Sequence, residues 1–308
     1  MRTTGFLLGL AALGLAVSGV AKSQESKGAP DASEILKYEV LLKQRSDVNN
    51  GGGWWKLAML YQDAARFGDA ERAYRKAMEL VKSGDPVVLA NVMDCMGTMY
   101  VQMGRYVDAE QLERKAMAIR QEQKDALGVG LSWMHLAMLS MGKHESADGE
   151  MYAELAVERL APERAESAAT SEQKMTALTY LALARCAAHQ CKDAMAPLKR
   201  AMTIAGASYE DKSFPVSYIR FLQGYVDWKR GDERTAAKLM KSGAEGMETQ
   251  LGWTHPTFVS AMRQYEEFLV ATRRTAEAIE VHKRLARFAG EQTMAQSGSA
   301  VHAVELPR

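Results

Sequence analysis

The 308-residue sequence predicts an all-α fold: a solenoid of about six stacked helix–turn–helix pairs. Three observations predict it. Trp54, Leu57 and Tyr61 recur at i, i+3 and i+7, one apolar stripe of a first helix, and Ala70, Tyr74 and Ala77 form the stripe of a second. The frame returns 39 positions later, as Met93, Met96, Gly97 and Tyr100 followed by Ala109, Ala116 and Met117. Small residues between large ones let two helix backbones approach, but a single pair cannot bury its own apolar face, so neighbours must stack.

The elements follow in order. Arg2 precedes an apolar stretch from Gly5 to Val17, and Ser18-Gly19-Val20-Ala21 offers small residues before Lys22. Residues 1–21 are expected to be a bacterial secretory signal cleaved after Ala21. An uncleaved anchor is the alternative, because an apolar run of about 17 residues is marginal for spanning a bilayer. No cysteine follows the run, so it is not a lipoprotein signal. Residues 22–33 read as a flexible tether. Asp31 or Ser33 caps a helix running to about Ser46, which Asn49-Asn50-Gly51-Gly52-Gly53 breaks off. Units one and two follow in the shared frame.

The third unit lies around Trp133, Leu136, Ala137, Gly142 and Ala147, with a turn about two residues short of the frame. The fourth carries Leu178, Leu181, Ala182, Ala194, Leu198 and Ala201, the fifth Gly224, Gly231, Ala236 and Met240, and the sixth Met262, Tyr265, Leu269, Ala278 and Leu285. The anchoring alanines thus fall at 70, 109, 147, 194, 236 and 278. Prolines fall where helices should start or end, at Pro86, Pro162, Pro215 and Pro256. Pro197 lies within a second helix, which must begin near Asp193 or bend there. The solenoid spans 34–289, the last helix ends near Arg287 and Phe288, and 290–308 reads as a disordered tail.

These residues resemble the tetratricopeptide repeat, whose large, small, aromatic and alanine positions sit at these offsets. Gly104-Arg105-Tyr106-Val107-Asp108-Ala109-Glu110 with Lys115-Ala116-Met117-Ala118-Ile119-Arg120, and Leu251-Gly252-Trp253-Thr254-His255-Pro256, resemble its kinesin-light-chain-like subclass. The resemblance covers about 54–289 and implies a right-handed solenoid that binds other chains and usually catalyses nothing. It specifies architecture far better than function.

Composition narrows the partners. Signal cleavage would remove Arg2 alone among charged residues, leaving 38 basic and 38 acidic residues. A neutral chain argues against nucleic acid or an anionic membrane as main partner. The pairs Arg273-Arg274 and Lys283-Arg284 read as a solvated face.

No catalytic, cofactor or metal motif is present. The histidines at 135, 144, 189, 255, 282 and 302 form no His-Glu-x-x-His, and no nucleophile elbow, phosphate loop or dinucleotide fingerprint appears. The expectation is no enzyme, no cofactor and no metal. Cys186 and Cys191, five apart across a turn, either form a disulfide or pack as small apolar fillers with buried Cys95. Cys186-x4-Cys191 without a partner pair is weak for zinc.

The resemblance places the first helices on a concave face, which assigns groove positions unit by unit. Unit one offers Trp55, Met59, Gln62 and Asp63; unit two offers Asn91, Asp94, Thr98 and Gln102; unit four offers Thr176, Thr179 and Leu183; unit six offers Arg263 and Glu267. In unit five Tyr218, Phe221, Tyr225 and Trp228 make one stripe. It is either an exposed aromatic patch or, if the register slips, the core stripe. Trp55 beside core Trp54 is a second candidate.

The expected partner-binding set is therefore Trp55, Asn91, Asp94, Gln102, Tyr218, Phe221, Tyr225, Trp228 and Arg263. The expected role is a non-enzymatic adaptor of the bacterial envelope, holding a protein or extended peptide. A carbohydrate-binding or polysaccharide-assembly factor, marked by aromatics flat in an open groove, is one alternative. A self-associating structural protein, marked by an apolar face at Ile279, Leu285 and Phe288, is another.

Overall fold

The computed structural model describes residues 32–44, 51–162, 169–253 and 255–287. The expected signal, most of the tether and the tail lie outside the described residues.

Among the described residues there are thirteen helices and no strand. Helix α1 (Ala32–Gln44) precedes six pairs. The first three are α2 (Gly51–Asp63) with α3 (Phe67–Val81), α4 (Pro86–Gln102) with α5 (Tyr106–Glu122), and α6 (Ala126–Gly142) with α7 (Ser146–Leu160). The next two are α8 (Ser171–Ala187) with α9 (Cys191–Ser208) and α10 (Phe214–Lys229) with α11 (Glu233–Leu251). The last joins α12 (Pro256–Ala271) to α13 (275–287). This is the α-solenoid the sequence predicts. Each helix packs chiefly on its chain neighbours.

One turn recurs in every pair. Ala65, Gly104, His144, His189, Gly231 and Arg273 all have φ between 56 and 92°. The residue after each donates its N–H back over five positions, as Arg66 does to the Tyr61 carbonyl at 2.8 Å and Asp232 to Asp227 at 2.9 Å. These are Schellman C-caps, which satisfy the orphan carbonyls of the first helix and turn the chain sharply. Five residues beyond each left-handed residue comes a buried small one: Ala70, Ala109, Gly149, Ala194, Ala236 and Ala278.

That register corrects the third anchor. It is Gly149 rather than Ala147, so the steps are 39, 40, 45, 42 and 42 residues. The apparent two-residue shortfall arose because a glycine fills the alanine row.

One further expectation changes. Gly51-Gly52-Gly53 does not break a helix but opens α2. A Cβ on Gly51 would lie 2.5 Å from Val81 Cγ1, so the first turn packs where no side chain fits. Helix α1 is described as far as Gln44, and its expected end near Ser46 and the break at Asn49-Asn50 lie outside the described residues. Helix α9 runs through Pro197 from Cys191 to Ser208. Pro197 has no N–H for the Asp193 carbonyl, and Arg185 Nη1 donates to that oxygen instead, at 3.2 Å. Cys186 and Cys191 are bonded, with Cα atoms 4.2 Å apart across the fourth turn, while Cys95 is buried and outside any disulfide.

The tightest pair is α10 with α11. A Cβ on Gly224 would lie 2.7 Å from the Met240 nitrogen, and one on Gly243 would lie 2.7 Å from the Phe221 nitrogen and the Ser217 carbonyl. Backbone, unlike a side-chain tip, has nowhere to go. Gly224→Ala is expected to destabilise the chain by about 1–2 kcal/mol despite alanine's better helix propensity, read as a lower guanidinium midpoint.

Helix α12 begins with His255 as its cap, its Nδ1 accepting from the Thr257 N–H at 3.2 Å before Pro256 at the first position. Only the neutral ring has that lone pair. Burial holds His255 well down, at about 4. Its contribution is therefore full above about 6.5, the unfolded value, and lost as pH falls toward 4. Thermal melts should show the wild type losing more stability than His255→Asn between neutral pH and that limit.

Candidate functional site

Successive first helices touch one another (α2 with α4, α4 with α6, α6 with α8), whereas successive second helices make at most marginal contact among the described residues. The stack therefore bends toward its first helices. Further along, α8, α10 and α12 meet around Leu183, Phe221, Thr257 and Gln264. The inner surface belongs to the first helices.

Few of the assigned groove residues are open on it. Gln102 is half-buried and accepts from Gln62 Nε2 at 3.0 Å; Gln62 in turn accepts from the Tyr74 hydroxyl at 2.6 Å. Asn91 is half-buried and accepts from Arg120 Nη2 at 2.7 Å. Arg263 is exposed. Asp94 is buried.

The aromatic stripe is core. Tyr218, Phe221 and Tyr225 are 4%, 0% and 7% exposed, which corrects the reading of them as an open patch. The physical reason is that Tyr218 and Phe221 face Leu183 of α8 and Thr257 and Gln264 of α12, which cover them. Trp228 is half-buried, edge-on to Tyr225 and Phe268, with Lys229 Nζ 3.6 Å from its ring centroid. Trp55 and Trp54 exchange the expected roles: Trp55 is buried and Trp54 half-buried.

Outside this face, a cleft of about 370 Å³ lies beside Pro197, lined by Glu154, Glu158, Arg185 and Arg200 among others. Its two arginines are engaged by neighbouring groups. Arg185 pairs with Glu154 at 3.1 Å and Glu150 at 3.6 Å, and Arg200 donates to the Ala161 carbonyl at 2.8 Å.

The site that sequence reasoning missed lies inside units two and three. Four charged or titratable residues, Asp94 on α4, Glu113 and Arg120 on α5 and His135 on α6, are all at most 4% exposed. Arg120 pairs with Asp94, donates from Nη2 to Asn91 and donates from Nη1 to Ser132 at 2.8 Å. His135 Nδ1 lies 3.3 Å from Glu113 Oε2 and 3.5 Å from Asp94 Oδ2.

Two of them depart from their rows in the repeat: Glu113 occupies the row of Tyr74, Ala153, Leu198 and Met240, and Arg120 that of Val81, Leu160, Ala205 and Met247. Asp94 shares its row with Trp55, Met134, Thr179, Phe221 and Arg263, a row of mixed polarity. Two glycines make room. A Cβ on Gly97 would lie 2.4 Å from Glu113 Oε1, and one on Gly128 would lie 2.6 Å from Arg120 Cδ. Part of the signal was in the sequence: Glu113 and Arg120 stand in rows that are apolar in units one, three, four and five, legible only once the units share one register.

The electrostatics follow from burial and proximity. Burial alone would raise Asp94, but Arg120 and His135 outweigh it and hold the carboxyl below its usual range. Burial raises Glu113 to about 8 against the pull of His135. For His135 burial opposes the charge, but Glu113 and Asp94 win and raise it to about 10.

Residues 53–122 match the tetratricopeptide repeat family model. No curated protein matches the chain. Several solved structures share the fold. BtubC (BKLC) from P. vanneervenii is 19% identical with a TM-score of 0.51, over 70% of this chain and 87% of that one. A putative kinesin light chain of Podosopora anserina with nearly identical TPR-like repeats is 15% identical, TM-score 0.50, over 66% and 98%. The apo form of RapI is 12% identical, TM-score 0.63, over 86% and 91%.

Removing one partner of a buried ion pair strands the other charge. Arg120→Met should cost about 3–5 kcal/mol, and adding Asp94→Leu should recover much of it, both read by chemical denaturation.

Proposed function

We propose that this tetratricopeptide-repeat chain is a non-enzymatic adaptor of the bacterial cell envelope that holds a partner protein or an extended peptide against its inner face. One observation carries the reading: the first helices of successive pairs share a single curved surface, on which Gln102 and Arg263 remain accessible while the aromatics behind them are core. A surface of that kind supplies shape, with affinity concentrated in a few side chains.

The apolar stretch before Lys22 supports export and cleavage after Ala21. The Cys186–Cys191 bond fits an oxidising compartment. Among the described residues no helix is long and apolar enough to cross a membrane.

Self-association is the second reading, favoured by apolar side chains at both ends of the stack. Leu36 is 58% exposed on α1, and Val270 and Ile279 are 63% and 50% exposed at the other end. Head-to-tail stacking of copies would cover both. The carbohydrate reading has lost its sign, because the unit-five aromatics pack edge-on inside.

Photocrosslinking in the native envelope separates these. A crosslinker at Gln102 or Arg263 should trap a protein or peptide that one at outward-facing Val107 or Lys115 does not. Equal trapping from both faces would sink the groove; trapping of the chain by itself, from positions 36 and 270, would establish self-association.

A further inference from the structure

The buried cluster of units two and three holds more unsatisfied polarity than a core tolerates. Both oxygens of Glu113, Asp94 Oδ1 and both ring nitrogens of His135 are buried without a hydrogen-bond partner. A buried carboxylate left unbonded is among the costliest features a fold can carry. Such a group calls for something that satisfies it.

We propose that Asp94, Glu113 and His135 form a buried three-donor site for one first-row divalent ion of the zinc class. One nitrogen and two carboxylate oxygens, all within 4.8 Å of one another, are a donor set such an ion accepts.

The competing occupant is a proton. On His135 it would balance the charges of the cluster, but it needs a short N–H···O⁻ bond of about 2.7–2.9 Å to one carboxylate. His135 Nδ1 instead stands off from two carboxylates at 3.3 and 3.5 Å. Donors bound at about 2.0–2.1 Å around a tetrahedral ion are spaced about 3.3 Å apart, which is the separation of His135 Nδ1 from Glu113 Oε2.

Arg120 occupies Asp94 Oδ2 and is itself held by Asn91 and Ser132, leaving Oδ1 as the unpartnered donor. Its role is to orient Asp94, as outer partners of metal ligands do. Thr98, one turn along α4 from Asp94, adds a buried hydroxyl without a partner. The donors come from α4, α5 and α6, so the ion would tie pair two to pair three. With every donor buried, it would enter as the chain folds.

The test uses the full chain, unfolded in guanidinium with chelator, then refolded with one equivalent of Co²⁺ or Zn²⁺, or with chelator alone. The expected results are about one ion retained per chain after dialysis, visible d–d absorption of a four-coordinate Co²⁺ ion without thiolate charge transfer, and a higher denaturation midpoint with Zn²⁺. Glu113→Gln should retain at least about tenfold less ion. If that variant does not fold, the wild-type Co²⁺ spectrum alone decides. No retained ion and identical midpoints with Zn²⁺ and chelator would overturn the proposal and assign the cluster to a shared proton. Thiolate charge transfer, placing the ion on Cys95, would overturn it as well.

Discussion

The structure depends on how closely two helix backbones approach within each pair. The left-handed residue after each first helix sets the angle, and a small residue five positions on permits the contact. Where that row or its facing row needs no side chain at all, as at Gly149, Gly224 and Gly243, glycine appears. Large residues such as Tyr74, Leu198 and Met240 then fill the spaces beside the contact. Stacking follows, because the outer side of every pair is still apolar.

The same geometry decides what the inner face can offer. Bending toward the first helices brings α2, α4, α6 and α8 into mutual contact and buries positions that a flatter stack would expose. Asp94, Thr98, Thr176 and Thr179 on these helices are buried, as are Tyr218 and Phe221 on α10. What stays accessible is polar and sparse, a surface suited to recognition by shape with a few directional contacts.

Against this apolar background the cluster around Glu113 stands apart. The rows that carry Tyr, Ala, Leu, Met or Val in units one, three, four and five carry Glu113 and Arg120 here, with Gly97 and Gly128 vacating volume for the longer chains. A repeat protein can absorb such an insertion because each pair answers only to its neighbours. The disturbance stays between units two and three, and the rows at Ala153 and Leu160 are apolar again. The chain keeps its fold while one interface gains a chemistry the others lack.

Much of this was legible in the residues. Spacings of three and four fixed the helices, the 39-residue offset fixed the pairing, and Pro86 and His255-Pro256 marked helix starts, because each of these is a local property of the backbone. Register in unit three was not legible, since Gly149 gives no signal of its own and only the turn at His144 locates it. Nor was the fate of the unit-five aromatics, or the choice of Trp55 over Trp54 as core. Which side of an apolar helix faces inward depends on curvature summed over neighbouring pairs. The convergence of Asp94, Glu113, Arg120 and His135 spans 41 positions of chain. Sequence alone determined that these helices exist and pair; the stacking of one pair on the next decided which side chains meet, because only contacts between pairs bring α4, α5 and α6 to one point.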